Sequence, residues 1–186
     1  MNDETIQKTP ITKEDWIRGK KNAPVTILEY GDFECPYCGM AYPELEAVQE
    51  EALDAVRLVY RHFPLTTVHP NALPAAEAAE AAGAQGKFWE MHDMLFTHQE
   101  ALEYENLLSY AEAIGLDADR FDDEMERHVY RDKVRRHFRQ GVQDGVNGTP
   151  TLFFNRIRYD GPRDRVSMLA AVAAILEAEQ GRKRAA

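Results

Sequence analysis

The chain has 186 residues, enough for one substantial core or for a domain that carries an insertion. Of these residues 44% are hydrophobic and 29% charged, a balance typical of a globular protein. Its formal net charge of −10 argues against nucleic acid as a partner, because the phosphate backbone attracts basic proteins. Two cysteines are too few for a disulfide-stabilised scaffold, so side-chain packing must supply the stability.

The N-terminus is polar and acidic, and it lacks the basic segment and apolar stretch of an export signal. The longest apolar run, residues 168–176, is too short to span a bilayer. The sequence therefore predicts a cytoplasmic protein without membrane insertion; the alternative is an exported protein whose signal peptide has been removed. Residues 1–23 are predicted to form a polar lead-in that contains one helical turn, at residues 12–16.

A strand, a helix and a second strand are predicted after the lead-in. Residues 25–30 and 55–63 are rich in β-branched and aromatic side chains, which favours strands. Residues 36–53, between them, carry apolar side chains at helical spacing. A strand, a helix and a strand within about 40 residues form a βαβ unit, so the two strands are predicted to be parallel, with a right-handed crossover.

The stretch from residue 70 to residue 145 breaks this pattern. Apolar residues recur there at helical spacing in several separate segments, and glycines end two of these segments. No part of the stretch has the alternation of a convincing strand. Residues 67–145 are therefore predicted to be an inserted helical domain of four to five helices.

The α/β pattern resumes after the insertion. Residues 151–155 and 156–159 predict two short strands joined by a tight turn, and residues 166–179 predict a final helix. Residues 24–66 and 146–186 are therefore predicted to form one α/β domain that the helical segment interrupts.

Both cysteines lie at the junction between the first strand and its helix. Cys35 is predicted to stand at the helix start, where unpaired N–H groups and the positive end of the helix dipole favour a thiolate. Pro36 suits the first helical position, and Cys38 falls three residues later on the same face. We interpret the pair as redox-active, with Cys35 exposed and attacking and Cys38 buried and resolving. A purely stabilising disulfide would close too short a loop to remove much chain entropy.

A proline stands directly before the third predicted strand, in the sequence Gly148-Thr149-Pro150-Thr151. Proline cannot donate a hydrogen bond to the sheet, so its position needs a reason. A cis Thr149–Pro150 bond in a tight turn would leave the backbone of Thr149 free to pair with an extended peptide beside Cys35. The alternative is a trans proline that merely ends a loop.

These features together resemble the DsbA-like branch of the thioredoxin superfamily. The resemblance extends over residues 22–180 and depends on Glu29, on Cys35-Pro36-Tyr37-Cys38, on the segment 87–96 and on the prolyl loop 148–151, with the helical insertion between the two motifs. It implies an α/β thioredoxin fold with a helical domain inserted after the second strand. It also implies thiol-disulfide oxidoreductase activity on protein or peptide thiols and disulfides, with glutathione or a redox protein as partner and no cofactor.

Two positions depart from the best-known periplasmic members. Tyr37 stands where they have a histidine, and it adds no positive charge to stabilise the Cys35 thiolate. Asp32 and Glu34 bring negative charge nearby, which opposes ionisation. The pKa of Cys35 is therefore predicted within the range of about 3.5–7.5 for such sites, but not at its bottom, which implies a less oxidising disulfide. Thr149 replaces the valine of some oxidases, so the direction of the reaction stays open.

Glu29 lies in the first predicted strand, on one face with Val25 and Ile27. Buried beneath the cysteines, a carboxyl group with a raised pKa could exchange a proton with Cys38. The alternative is a solvent-exposed glutamate near the strand end. An apolar rim around the cysteines is predicted to hold an extended peptide. Its members are Phe33, Pro36, Tyr37, Thr149 and Pro150.

Six histidines raise the question of a zinc site that includes both cysteines. Their spacings do not match the usual three to five intervening residues, so no metal site is predicted, and a site shared across a dimer is the alternative. The basic run 131–139 follows an acidic run, and the two offset each other rather than forming a nucleic-acid patch.

Two other functions are weighed against disulfide exchange. A non-catalytic adaptor or holdase could bind peptides in the same groove, but it would have no need of both Cys35 and Cys38. A glutathione-dependent transferase or isomerase on a related scaffold typically keeps one nucleophile, so the second cysteine counts against it.

Overall fold

A five-stranded mixed sheet forms the centre of the structure, a computed structural model that describes the backbone of residues 5–185 and the side chains of residues 5–182. The first four residues of the predicted lead-in lie outside the described residues. The strands are β1 (Trp16–Gly19), β2 (Val25–Gly31), β3 (Val56–His62), β4 (Thr151–Phe154) and β5 (Ile157–Tyr159). They lie in the order β1-β3-β2-β4-β5. β2 and β3 are parallel, as predicted, and the other neighbours are antiparallel.

Seven α-helices surround this sheet in the described part of the chain. They are α1 (Pro36–Ala52), α2 (Ala72–Ala84), α3 (Phe88–Thr97), α4 (Tyr104–Ala113), α5 (Ala118–Glu126), α6 (Arg131–Gln143) and α7 (Arg165–Ala185). A short 3-10 turn, Leu53–Ala55, follows α1. Helices α2–α6 lie between β3 and β4 in the chain, so the five-helix insertion follows the second predicted strand. The domain boundaries at residues 24, 67 and 146 stay predictions.

The lead-in contributes a strand that was not predicted. Residues Lys13 and Glu14 form a turn, and the chain then continues as β1, antiparallel to β3, with Trp16 opposite Tyr60. The indole of Trp16 stacks on Phe88 of the insertion, with 4.7 Å between ring centroids. The expected helical turn at residues 12–16 is therefore only a turn, because Trp16 is drawn into the edge of the sheet and against α3.

The lead-in is fastened by a buried arginine. Arg61 on β3 is fully buried, and its guanidinium donates to both carboxylate oxygens of Asp15, at 2.7 and 2.9 Å. It also donates to Thr9 Oγ1 at 2.6 Å and to the Tyr30 hydroxyl at 3.0 Å. Asp144, at the end of α6, accepts from the Thr9 backbone at 2.8 Å. One buried polar network thus joins the lead-in, the sheet and the insertion.

Three clusters of buried apolar side chains form the interior. One lies between the sheet and helices α1 and α7, and a second lies on the opposite sheet face against α6. The third surrounds α2, whose alanines are almost all buried. Small side chains let the neighbouring helices approach α2 closely, which explains the alanine-rich composition of this segment.

Candidate active site

The cysteine pair lies where β2 passes into α1. β2 ends at Gly31, and Cys35 is the residue before the first helical residue, Pro36, with an extended backbone at φ −73° and ψ 120°. The carbonyl of Cys35 accepts from the N–H groups of Cys38 and Gly39, at 3.0 and 3.1 Å. Pro36 therefore occupies the first position, where its missing N–H costs nothing.

Both thiols are free, and both are buried. Cys38 is 0% exposed and Cys35 only 3% exposed. The prediction of an exposed Cys35 is therefore wrong for this structure. The prolyl loop approaches the thiol from the other side of the site, with the carbonyl oxygen of Thr149 at 3.4 Å from Cys35 Sγ. The solvent-facing side chain of the motif is instead Tyr37, which is 69% exposed.

The surroundings push the pKa values of the two thiols in opposite directions. The Cys38 thiol, Thr149 and the N–H groups of Cys38 and Tyr37 lower the pKa of Cys35 to about 5, against the opposing effect of burial. Burial raises the pKa of Cys38 well above its usual value, and the negative charges of Cys35 and Glu29 add to this effect. At neutral pH Cys35 is therefore the thiolate and Cys38 the protonated thiol.

The prolyl loop is brought to Cys35 by β4. The Thr149–Pro150 peptide bond is cis, and Thr151 opens β4 opposite Tyr30 on β2. The hydroxyl of Thr151 donates to the carbonyl of Gly148 at 2.8 Å, which closes the loop. Pro150 is buried, whereas Thr149 is partly exposed.

Glu29 is buried in the middle of the sheet, paired with Tyr60 on β3 and Leu152 on β4. Within the described residues, neither Glu29 Oε1 nor the Tyr60 hydroxyl has a hydrogen-bond partner. Burial, with a contribution from the Cys35 charge, raises the pKa of Glu29 to about 8. The solvent-exposed alternative is excluded, and the carboxyl group is protonated at neutral pH.

Phe33 is not part of a surface rim. It is 1% exposed, and its ring lies 5.1 Å from that of Tyr60 and 4.9 Å from that of Phe96 on α3. The prediction that Phe33 contacts substrate is wrong because the inserted helices cover it. Pro150 is also buried, so the exposed members of the predicted rim are Pro36, Tyr37 and Thr149.

An open groove of about 400 Å³ lies beside the cysteine motif. Its walls combine the exposed faces of α1 with the chain just before α7. The lining residues are Tyr37, Met40, Ala41, Glu44, Arg163 and Asp164. Apolar surface with a few charged groups at its edge suits an extended peptide.

Gln99 is a site residue that the sequence did not reveal. It follows α3, and its side-chain amide donates to the carbonyls of Phe33 and Cys35 at 2.7 and 3.0 Å. A Cβ atom on Gly39 would lie 1.9 Å from Gln99 Oε1. The glycine after the second cysteine therefore makes room for an amide that holds the Cys35 loop.

Gly39→Ala should displace Gln99, and its effect should depend on whether Gln99 is present. In the wild-type background, the gain in helix propensity of about 1 kcal/mol is opposed by the loss of two hydrogen bonds. In a Gln99→Ala background only the gain remains. Urea unfolding of the four proteins should therefore give a coupling free energy of about 1–2 kcal/mol. Gly181→Ala, where an added Cβ meets nothing within 4 Å, is the matched control; equal effects of Gly39→Ala in both backgrounds would contradict the prediction.

Within the described side chains, one group of three potential metal ligands lies close together. His62, Glu80 and His137 are all buried, and one potential ligand atom from each lies within 4.8 Å of the others. Glu80 already accepts from Trp16 at 3.0 Å and pairs with Lys133 at 2.7 Å. The two imidazole rings are stacked at 18°, so their in-plane lone pairs do not converge. The group is an ion-pair and hydrogen-bond network between β3 and the insertion.

Comparison with known proteins adds the family. Residues 11–174 match the family model described as thioredoxin. The chain belongs to the thioredoxin family. Among solved structures, it is similar to BdbD from Bacillus subtilis, with a TM-score of 0.83 and 19% identity over 94% of this chain and 100% of that one. It is also similar to a thioredoxin-like oxidoreductase from Silicibacter pomeroyi, with a TM-score of 0.75 and 26% identity over 91% and 94% of the two chains.

These similarities confirm the predicted thioredoxin fold. The chain is also similar to Wolbachia pipientis alpha-DsbA1, with a TM-score of 0.79 and 18% identity; the match covers 92% of this thioredoxin-family chain and 96% of that one. The α/β thioredoxin fold with a helical insertion is thus the architecture of this protein.

The curated relatives are longer proteins. The chain is 47% identical over 176 residues to the Na(+)/H(+) antiporter NhaA 3 of Salinispora tropica, a match that spans 91% of this chain and 26% of that protein. It is 38% identical to the Na(+)/H(+) antiporter NhaA of Herminiimonas arsenicoxydans, over 94% of this chain and 27% of that protein. The chain thus spans about a quarter of the length of these relatives.

The cytoplasmic prediction is contradicted. The chain shares its fold with Wolbachia pipientis alpha-DsbA1, and DsbA is the oxidant that keeps the bacterial periplasm oxidising. That prediction depended on the lack of an export signal in this sequence, and a signal of this kind is removed from a mature exported protein. None of the helices in residues 5–185 has the length and apolar composition needed to cross a membrane.

Proposed function

We propose that the protein exchanges disulfides with protein substrates through Cys35 and Cys38. The observation that carries the proposal is the geometry of the pair. Cys35 stands at the start of α1 with the Thr149 carbonyl 3.4 Å from its sulfur, Cys38 is fully buried, and these surroundings shift the two pKa values in opposite directions. A purely structural disulfide has no use for opposite pKa shifts in its two thiols. The thiolate is the species that attacks a disulfide, so the pair divides into an attacking and a resolving sulfur.

The reaction begins when the Cys35 thiolate attacks one sulfur of a substrate disulfide. A bond forms between Cys35 and that sulfur, and the other substrate sulfur leaves as a thiolate that takes up a proton. Cys38 then loses its proton and attacks Cys35, which releases the first substrate sulfur and leaves the Cys35–Cys38 disulfide. Two electrons pass from protein to substrate; the reverse sequence oxidises a substrate dithiol. No metal or organic cofactor takes part.

Glu29 supplies the proton exchange that Cys38 needs. Cys38 lies away from solvent, and the Glu29 charge is among those that raise its pKa, so the two groups are close enough to interact. A carboxyl group with a pKa of about 8 can accept or return a proton near neutral pH. In the mixed disulfide Cys35 no longer carries the charge that helps to raise the pKa of Glu29, so Glu29 loses its proton more readily and is in this proposal the base for Cys38.

Glu29→Gln should make the protein slower and more stable. Resolution by Cys38 should slow by roughly 100-fold, the lower end of the range for general base catalysis. Because the folded-state pKa of Glu29 is raised from 4.5 to about 8, wild type loses stability as pH rises through this interval, and the amide does not. The variant should gain about 2–3 kcal/mol near pH 7.

Rapid-mixing kinetics and urea unfolding across pH would measure the two effects of Glu29→Gln. Glu50→Gln, at an exposed position on α1, is the matched control. If Glu29→Gln neither slows resolution by Cys38 nor is more stable than wild type above pH 8, Glu29 has no part in the mechanism.

The substrate is an extended peptide in this proposal. The backbone of Thr149 would pair with it, and the exposed side chains of Tyr37 and Met40 would cover its apolar residues along the groove. Glutathione or a redox protein would restore the starting state of the cysteine pair.

The function is tested by insulin reduction with dithiothreitol as electron donor. The control is the same protein alkylated with iodoacetamide, which blocks Cys35 and leaves the peptide groove in place. Acceleration by the unmodified protein alone supports disulfide exchange. Equal inactivity of both samples would overturn it in favour of the adaptor or holdase, and activity only on small glutathione conjugates would favour the transferase.

The direction of exchange is measured by equilibrating the pair with glutathione buffers. A reduction potential of about −120 mV is that of a strong oxidant, and one of about −270 mV is that of a reductant. The Tyr37 position and the pKa of about 5 for Cys35 suggest a value between these limits. The similarity to antiporters concerns the residues that match the thioredoxin family, so no ion transport is proposed for this chain.

A further inference from the structure

The loop in front of Cys35 is held by a buried carboxylate. The Asp32 side chain is 0% exposed and accepts three hydrogen bonds. One comes from Glu34 N at 2.9 Å, one from Leu65 N at 2.8 Å, and one from the His69 ring at Nδ1, also at 2.8 Å. The carbonyl of Asp32 accepts from Cys35 N at 3.1 Å. The residue that holds the Cys35 backbone is thus the residue that binds His69.

A second contact fixes the same two segments. The Glu34 carboxylate accepts from the backbone N–H of Asn71 at 2.6 Å and from its side-chain amide at 3.3 Å. Asn71 is the residue before α2, so Glu34 completes the exposed start of that helix. The connection between β3 and α2 is therefore fastened at two points to the loop that carries Cys35.

His69 brings a titratable charge to this junction. Its side chain is 18% exposed, and Asp32 has no other ion-pair partner within the described residues. The imidazole contacts Asp32 at 2.8 Å, and the negative charges of Cys35 and Glu34 also act on it. Burial lowers the pKa of His69, but the hydrogen bond to Asp32 and the negative charges of Asp32, Cys35 and Glu34 raise it overall.

We propose that His69, held by Asp32, is a positioning residue that makes the redox equilibrium of the Cys35–Cys38 pair depend on pH through its own positive charge. The inference rests on the proposed disulfide exchange and adds its regulation. In this proposal His69, which lies between β3 and α2, supplies the positive charge that Tyr37 does not provide.

The sign of the effect follows from linkage. Protonated His69 stabilises the Cys35 thiolate and therefore the reduced pair. This contribution is complete between the pKa of Cys35, about 5, and the raised pKa of His69. It is lost as pH rises through the pKa of His69, and also as pH falls through that of Cys35, where the thiolate is protonated. Coupling between two sites is reciprocal, so the Cys35 thiolate must also favour the protonated form of His69. A disulfide carries no charge and must lack this effect.

The first experiment needs no variant. NMR titration of the His69 ring in the reduced and in the disulfide form of the wild-type protein should give two different midpoints. In the reduced form, His69 should lose its proton at a higher pH, that is, at a proton concentration roughly threefold to tenfold lower than in the disulfide form. The ring signals of His128, an exposed histidine paired with Glu77 at 3.1 Å, serve as the control. Equal midpoints for His69 would overturn the proposal.

The second experiment uses His69→Gln, which keeps a donor for Asp32 and removes the charge. The ultraviolet absorbance of the thiolate should show that Cys35 ionises at a higher pH in the variant, at a proton concentration roughly threefold to tenfold lower than in wild type. Below the His69 midpoint, the equilibrium with glutathione should shift toward the disulfide by the same factor. His128→Gln is the matched control and should match wild type in both measurements.

The outcomes separate this proposal from the proposed function. If wild type reduces insulin but His69→Gln leaves the Cys35 titration and the glutathione equilibrium unchanged, His69 regulation is wrong and disulfide exchange stands. If wild type is inert toward insulin, the function itself fails, whatever the histidine titrations show. Lower thermal stability of His69→Gln with unchanged titrations would indicate a purely structural residue and would also overturn the proposal.

Discussion

Cys35→Ser should remove disulfide exchange altogether, whereas Cys38→Ser should convert the protein into a trap for its substrate. Without the Cys35 thiolate nothing attacks the substrate disulfide, because Cys38 is fully buried and protonated. Without Cys38 the attack proceeds, but the mixed disulfide at Cys35 has no neighbouring sulfur to resolve it. Insulin turnover should fall to the uncatalysed rate in Cys35→Ser, whereas Cys38→Ser can turn over only as fast as dithiothreitol releases its mixed disulfide.

Non-reducing electrophoresis and mass spectrometry distinguish the two variants. Only Cys38→Ser should carry a covalently attached insulin chain, released by dithiothreitol, and the double variant should carry none. Circular dichroism is the control, since serine is close to cysteine in size. A trap formed by Cys35→Ser instead of Cys38→Ser would reverse the assigned roles.

Arg61→Met should destabilise the fold by about 3–5 kcal/mol, the usual cost of leaving a buried charge without its partner. Arg61 is fully buried and is the principal counterion of Asp15, and it also donates to Thr9 and Tyr30. Despite burial, the hydrogen bond and charge of Arg61 lower the pKa of Asp15. The stabilisation from this pair is present above the unfolded-state pKa of Asp15 and is lost as pH falls through its lowered folded-state value.

Urea unfolding at several pH values would measure the loss. Arg57→Met is the matched control, because Arg57 lies on the same strand but is only half-buried, and it should cost less than about 1 kcal/mol. Asp15→Asn combined with Arg61→Met should be less destabilising than the sum of the single variants. Equal costs for Arg57→Met and Arg61→Met would contradict the assigned role of the buried pair.

Local sequence patterns were sufficient for the chemistry of the site. The Cys-x-x-Cys motif, the helix start at Pro36 and the strand that follows Pro150 each depend on a few neighbouring residues, and the parallel pair followed from a general rule of chain connection. Glu29 could be placed on a strand face, but its burial depends on β3, β4 and the insertion together. The sequence therefore left both a buried and a solvent-exposed Glu29 open, and only the assembled structure distinguishes them.

Most of the errors at the site come from contacts with the insertion. Phe33 is adjacent to the motif in sequence, yet its exposure is set by Phe96, on a helix of the insertion. Gln99 and His69 reach the Cys35 loop from separate parts of that insertion, and no spacing rule links them to the cysteines. β1 was missed because four residues are too few for a periodic signal, and its stability comes from pairing with β3.

The order of the strands has a consequence for synthesis on the ribosome. β2 takes one neighbour, β3, from the nearby chain, but its other neighbour is β4, with Leu28 opposite Phe153. The whole helical insertion must be translated before that edge of β2 can be covered. Until then the nascent chain exposes an unpaired, apolar strand edge, the kind of surface on which chains aggregate and chaperones act.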